Sequence, residues 1–156
     1  MNNVSPEVRA VLVEDDYLTG DFWQEELGKS DIKVERLSQE YAFRQRLPYW
    51  RDHKPDIFVL GTWVKWTYPA PDMPEPTEDV IKEGYRRAGE RMQGYIAADP
   101  ILQHTPVIIW GLESDDKRLQ GKNGCRLPSG ALFVSKYTEE DNHFALTIRS
   151  LAMAAR

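Results

Sequence analysis

The chain has 156 residues, a length that suits one domain of ordinary size. Its 25 acidic residues outnumber 20 basic ones and give a net charge of −5, which disfavours binding to nucleic-acid phosphates. The single cysteine, Cys125, excludes an internal disulfide, and no apolar stretch approaches the ~20 residues that a membrane helix needs. We therefore expect one cytoplasmic globular domain over residues 1–156, with no membrane or nucleic-acid partner.

Five short apolar segments are typical of β-strands. Four are continuous, as in strands buried on both faces of a sheet, whereas the second is mixed and indicates an edge strand. The segments are residues 8–13, 32–37, 57–60, 106–110 and 131–134.

Segments with helical spacing separate these strands. The first follows Asp16, a candidate N-cap, and its apolar positions are Leu18, Phe22 and Leu27. The second follows Ser38 and is predicted to end at Pro48, because proline disrupts a helix interior.

Two further helices complete the alternation of strands and helices. One long apolar stripe runs from Thr77 to Ile96, and the last helix is predicted to begin at Thr138, with Phe144 and Ile148 facing inward. Such alternation predicts an α/β fold of three layers, with a parallel sheet covered by helices on both faces.

Two stretches depart from this regular pattern. Residues 62–75 form a long insert after the third strand, rich in aromatic residues and proline. Residues 113–130 offer few apolar anchors and several glycines, so the fourth helix is predicted to be short, frayed or absent.

Charged side chains follow several of the predicted strands. Glu14, Asp15 and Asp16 follow the first strand and Lys136 follows the fifth, and the carboxyl ends of parallel strands meet at one edge of a sheet. Two or three carboxylates and a lysine there could hold a Mg²⁺ ion and a phosphoryl group. The alternative is that the acidic residues only cap the first helix.

The order and spacing of these motifs resemble the receiver domain of two-component response regulators. The resemblance covers roughly residues 8–151 and implies a flavodoxin-like, doubly wound fold with a five-stranded parallel sheet of order 2-1-3-4-5. It also implies phosphorelay signalling in a bacterial cytoplasm. Its carriers are residues 11–16, 54–60, 98–109 and 133–136.

The resemblance also implies roles for individual residues. Glu14 and Asp15 match the acidic pair that binds Mg²⁺ in that family, and Lys136 matches its lysine. Phe133 matches the aromatic position whose rotamer reports activation, while Tyr137 replaces the proline that usually follows the lysine.

Two positions of the family site carry glycine instead of a functional side chain. Gly61 stands where the resemblance places the phosphoacceptor aspartate, and Gly111 stands where it places a serine or threonine hydroxyl. A unit-charge pair at ~4 Å is worth about 4 kcal/mol at an effective dielectric near 20, so losing a carboxylate weakens Mg²⁺ binding at Glu14 and Asp15. We expect Lys136 to pair with Asp15 instead.

These departures predict a degenerate pseudo-receiver, a protein-interaction module rather than an enzyme, with no cofactor and at most weakened Mg²⁺ binding. One alternative is phosphorylation of a non-standard aspartate, Asp16 or Asp72. Another is a flavodoxin-like binder of a small ligand near Trp63, Trp66 and Trp110.

The expected partner is another protein or a second copy of the chain. Trp63, Trp66 and Tyr68 of the insert are the candidate contact residues, because tryptophan and tyrosine are favoured anchors in interfaces. The alternative is that the insert folds back and buries these rings against its own domain.

Overall fold

A parallel β-sheet forms the centre of the molecule. The computed structural model describes residues 6–136 and 141–156, and within them the sheet has five strands in the order β2-β1-β3-β4-β5. Every neighbouring pair is parallel, and β2 lies at an edge, so the predicted topology is confirmed. The strands are β1 (Val8–Val13), β2 (Ile32–Leu37), β3 (Ile57–Gly61), β4 (Val107–Gly111) and β5 (Leu132–Ser135).

Helices cover both faces of the sheet and enclose two apolar cores. Residues of α1 and α5 pack on one face, and residues of α2 and α4 pack on the other. None of the helices described is long and apolar enough to cross a lipid bilayer. The helices are α1 (Tyr17–Gly28), α2 (Glu40–Asp52), α3 (Glu78–Glu83), α4 (Ala88–Ala98) and α5 (Asp141–Ala154).

Helix α1 begins as predicted but buries a different face. The Asp16 carboxylate accepts the backbone N–H of Leu18 at 3.2 Å, which confirms the N-cap. Leu18 is 78% exposed and Phe22 is also exposed, so two of the three apolar positions of the predicted helix do not face the core. Trp23 and Leu27 face the core instead, because the Trp23 ring fills the space between the sheet and α5.

Helix α2 continues past its proline, contrary to the predicted end at Pro48. It runs to Asp52, and Trp50 in its last turn is fully buried. The Trp50 indole N–H donates to the Glu35 carboxylate at 3.0 Å. This tertiary packing offsets the hydrogen bond that proline cannot make.

The long stripe between β3 and β4 forms two helices rather than one. Gly84 separates α3 from α4 with a φ of 85°, a backbone conformation that favours glycine. A short 3₁₀ turn, Tyr85–Arg87, then leads into α4. Val80, Met92 and Ile96 of the stripe are buried, but Tyr85 is exposed, and the apolar periodicity did not predict the break in the backbone.

The segment between β4 and β5 contains no α-helix, which confirms the weak fourth helix. Its described residues form two short 3₁₀ turns, Glu113–Asp115 and Lys117–Leu119. The chain then folds back along β5: the Gly124 N–H donates to the Phe133 carbonyl at 2.8 Å, and the Phe133 N–H donates to the Cys125 carbonyl at 2.9 Å. The chain therefore covers its own sheet edge at β5.

Helix α5 presents the predicted residues to the core. Phe144 and Ile148 are fully buried, and the Phe144 ring stacks on Trp110 with ring centroids 5.4 Å apart. The predicted start at Thr138, and Tyr137 before it, lie outside the described residues.

Candidate functional site

Glu14 and Lys136 form a buried ion pair at the carboxyl edge of the sheet. Glu14 is 1% exposed, and its Oε2 lies 2.6 Å from the Lys136 ammonium. Its other oxygen accepts the Asp16 N–H at 3.0 Å. Burial raises the pKa of Glu14, and the charge of Lys136 opposes that rise. The expected pairing of Lys136 with Asp15 was therefore wrong, because Glu14 is the carboxylate that turns toward the lysine.

The position of Lys136 is determined by its backbone as well as by its charge. Its N–H donates to the Gly111 carbonyl at 2.7 Å, which joins the ends of β4 and β5. Its ammonium lies 4.9 Å from the centroid of the Trp110 ring, a cation–π contact. The lysine is thus held by three partners that need no phosphoryl group.

Asp15 lies beside this pair with one unsatisfied oxygen. Its Oδ2 is buried and has no hydrogen-bond partner among the described residues. Burial raises the pKa of Asp15, and the positive charge of Lys65 in the insert opposes that rise. Sequence reasoning did not identify Lys65, since it lies in the insert.

The end of β3 is tightly enclosed at Gly61. A Cβ atom at this position would lie 3.0 Å from the Val13 carbonyl oxygen and 3.1 Å from a methyl group of Val64. Helix α4 also approaches closely, because a Cβ at Gly89 would lie 2.7 Å from the Gly61 carbonyl oxygen. A larger side chain at Gly61 would therefore require its neighbours to shift by a few tenths of an ångström.

Thr62 fills the space beside Gly111. A Cβ at Gly111 would lie 2.5 Å from the Thr62 Cγ2 and 2.7 Å from its Cβ, and would also overlap its hydroxyl. That hydroxyl donates to the Asp115 carboxylate, which accepts the Leu112 N–H at 3.0 Å as well. A hydroxyl is thus present near the expected position, but it comes from the residue after β3 and is tied to Asp115.

Sequence reasoning missed the pair formed by Thr62 and Asp115. A threonine follows Gly61 directly, and Asp115 lies four residues after Gly111. Neither residue belongs to a motif, so only their meeting across 53 positions of sequence reveals the contact.

The remaining predicted site residues lie elsewhere around this edge. Phe133 is fully buried in the core on the face of α2 and α4, and its role as a switch stays a prediction. The Asp16 carboxylate accepts the Thr19 hydroxyl at 2.7 Å, a bond that lowers the pKa of Asp16. Asp72 is exposed in a turn of the insert. Asp16 therefore acts as the N-cap of α1, and Asp72 lies on the surface of the insert.

The oxygen ligands at this edge do not fit a Mg²⁺ ion. No three histidine, cysteine or carboxylate side chains converge on a common point in the part of the chain that the structure describes. One oxygen of Glu14 accepts the Asp16 N–H, and the other lies against the Lys136 ammonium, whose positive charge repels a metal ion there. Asp15, with its unpartnered Oδ2, is then the remaining carboxylate, whereas Mg²⁺ prefers octahedral oxygen coordination.

The aromatic residues of the insert divide into buried and exposed sets. Trp66 is 4% exposed and its indole N–H donates to the Pro74 carbonyl at 3.0 Å, so it packs inside the domain and is not an accessible anchor. Trp63 is 43% exposed and meets Tyr85 edge-on, and Tyr68 is 48% exposed. These exposed rings border a groove of about 410 Å³.

Comparison with known proteins identifies the fold. No protein-family profile matches the chain, and no curated protein sequence does. A putative response regulator from Chloroflexus aurantiacus superimposes with a TM-score of 0.65 at 13% identity, over 95% of this chain and 99% of that one. The signal receiver domain of a histidine kinase from Syntrophus aciditrophicus gives 0.64 at 18% identity, over 94% and 91% of the two chains.

A third structure carries a metal ion. The receiver domain of a sensor histidine kinase from Pseudomonas aeruginosa, with magnesium coordinated in its active-site cleft, gives a TM-score of 0.63 at 13% identity, over 95% of this chain and 99% of that one. The resemblance inferred from the sequence motifs is confirmed at the level of the fold. The chain has the fold of the signal receiver domains of two-component proteins.

Proposed function

We propose that this chain is a pseudo-receiver, a single receiver-like module that binds protein partners and whose output does not depend on phosphorylation of an aspartate. The observation that carries the proposal is the packing of Thr62 into the space beside Gly111, with its hydroxyl bonded to Asp115. That hydroxyl is committed to an internal contact and does not face an incoming phosphoryl group.

The other groups at this edge support the same conclusion. Phosphoryl transfer to a side chain needs a nucleophile and positive charges that neutralise the phosphoryl oxygens. Gly61 supplies no nucleophile, and the ammonium of Lys136 is already neutralised by Glu14 at 2.6 Å. The state of the site is therefore determined by internal contacts.

Protein binding is the activity that remains for such a module. The exposed rings of Trp63 and Tyr68 lie on the insert that follows β3, next to the site, and aromatic rings of this kind dominate the energetics of many interfaces. We include no catalytic activity in the proposal, and we expect the module to act in two-component signalling through a protein partner.

A phosphodonor experiment tests the central claim. Incubation with acetyl phosphate and Mg²⁺, followed by intact-protein mass spectrometry, is expected to leave the mass unchanged. Gly61→Asp is the matched variant: it restores a carboxylate, yet only weak labelling is expected because Thr62 remains tied to Asp115. Stoichiometric labelling of Asp16 or Asp72 in the unmodified chain would contradict the proposal.

A binding experiment tests the aromatic surface. Trp63→Ala and Tyr68→Ala are expected to reduce capture of the cognate partner from the native host, because they remove exposed rings without disturbing the core. Leu146→Ala is the control, since that side chain is also exposed but lies on α5. Equal losses in all three variants would show that the insert has no special part in binding.

A further inference from the structure

A groove lies where the fourth helix of the fold is missing. It runs between α4 and the segment that leads to β5, and its volume is about 740 Å³, within the ~300–1,000 Å³ typical of binding sites. Apolar side chains line it, including Leu119, Leu127 and Pro128. Because the segment between β4 and β5 makes only 3₁₀ turns and then pairs with β5, no helix lies beside the groove-lining side of α4, whereas α2 packs beside α4 elsewhere.

The rim of the groove carries two cationic side chains that no carboxylate neutralises in the part of the chain that the structure describes. Lys122 has no carboxylate within ion-pair distance among the described residues, and Arg126 donates to a backbone carbonyl, that of Gly130, at 2.9 Å. Arg118, by contrast, is paired with Asp116 and Glu90 at one end of the groove. In a chain with a net charge of −5, this basic rim is a local exception.

The exposed face of α1 is apolar and acidic, and so complements the apolar groove and its basic rim. The outward face of α1 exposes Leu18, Asp21, Phe22 and Glu25, which recur at the i, i+3, i+4, i+7 spacing of one helical stripe. The helix contains three acidic residues and no basic residue. Glu25 has no ion-pair partner among the residues described, whereas Asp21 is paired with Arg36.

We propose that α1 of one copy of this chain docks into the groove of a second copy, with Leu18 and Phe22 against the apolar floor and Glu25 facing Lys122 and Arg126. Laying the apolar stripe of a helix into a groove is a common mode of recognition, and opposite charges at the rim would set its orientation. The interface goes beyond the proposed function, since it involves neither the insert nor the site.

This contact joins two different surfaces, so it is head-to-tail. Each copy keeps one free α1 and one free groove at the ends of the assembly, and association therefore grows with concentration instead of stopping at a symmetric dimer. Groove-to-groove pairing is disfavoured, because it would bring two basic rims together.

Sedimentation of the full chain and two double variants tests the proposal. The unmodified chain is expected to increase in average mass with concentration, and both Leu18→Ser/Phe22→Ser and Lys122→Glu/Arg126→Glu are expected to weaken association at least about tenfold. An equimolar mixture of the two variants is expected to form a 1:1 dimer and nothing larger, since each supplies one intact half.

Two controls separate this interface from general surface effects. Leu146→Ser removes a leucine that is also exposed but lies on α5, and Lys33→Glu reverses an exposed charge on β2; both are expected to associate like the unmodified chain. A chain that stays monomeric up to about 1 mM, a concentration at which even a binding energy of ~4 kcal/mol is detectable, would overturn the proposal. So would a variant mixture that remains monomeric, and neither result would alter the phosphodonor experiment.

Discussion

Adding a methyl group at Gly111 tests whether Thr62 occupies the space of the missing hydroxyl residue. In Gly111→Ala the new Cβ would lie 2.5 Å from the Thr62 Cγ2 and 2.7 Å from its Cβ, well inside normal contact distance. The threonine side chain must move, and its hydrogen bond to Asp115 is then lost.

The expected cost follows from these two effects. Overpacking of a well-packed site costs about 1–3 kcal/mol, and a hydrogen bond to a charged group is worth about 1.5–3 kcal/mol. Gly111→Ala should therefore lower the free energy of unfolding by about 4 kcal/mol. At roughly 2–4 °C per kcal/mol for a chain of this size, the melting temperature should fall by about 10 °C.

A double-mutant cycle in urea isolates the contact. Thr62→Gly removes the obstructing side chain, so adding Gly111→Ala to it should cost little more, which gives a coupling energy close to the ~4 kcal/mol expected for Gly111→Ala alone. Gly94→Ala is the control: a Cβ there meets nothing within 4 Å, and alanine in a helix interior should add about 0.5–1 kcal/mol. Additive costs in the cycle, or an unchanged melting temperature for Gly111→Ala, would refute the reasoning.

Three further variants probe the charge network and the insert. Glu40→Gln should lower stability by about 3–5 kcal/mol in urea unfolding, because it leaves the buried Arg91 guanidinium, 2.6 Å from the carboxylate, without its counter-charge. Stability should also fall as the pH drops from about 4 to 2, since the pKa of Asp79 is lowered to about 2; Asp79→Asn should remove about 1 kcal/mol of this dependence after allowance for its partial exposure. Trp66→Ala should cost about 3–5 kcal/mol in thermal unfolding, and Trp63→Ala under about 1 kcal/mol.

The causes and controls for these variants are specific. Burial raises the pKa of Asp79, but hydrogen bonds from Thr77 and Tyr95 and the charge of Arg44 together lower it by more than burial raises it. The stabilisation is therefore full above the unfolded pKa of 3.8 and is lost as the pH falls from there to about 2. Glu83→Gln, an exposed carboxylate on α3, should leave stability nearly unchanged. A cost for Glu83→Gln equal to that of Glu40→Gln would indicate a general charge effect.

The strands and their burial on both faces of the sheet were predictable from local patterns, whereas the strand order was implied by the resemblance to receiver domains. Continuous apolar runs such as 57–60 and 106–110 identify strands covered on both sides, and βα alternation leaves few arrangements for them. The helix ends were less predictable. Pro48 and Gly84 are both helix breakers by propensity, yet only Gly84 ends a helix, α3. Helix α2 continues through Pro48, because Trp50 beyond the proline is packed in the core.

The amino-acid sequence alone determined that no carboxylate stands at the end of β3, because Gly61 has no side chain in any fold. The tertiary structure decided which contacts form where the phosphoacceptor and hydroxyl side chains are missing. Thr62 reaches Asp115 across 53 residues, and Lys136 pairs with Glu14 rather than with Asp15. These contacts depend on which side chains the fold brings within a few ångströms of one another. Local periodicity reports only which face of a helix or strand a residue occupies, so it carries no information about partners so distant in sequence.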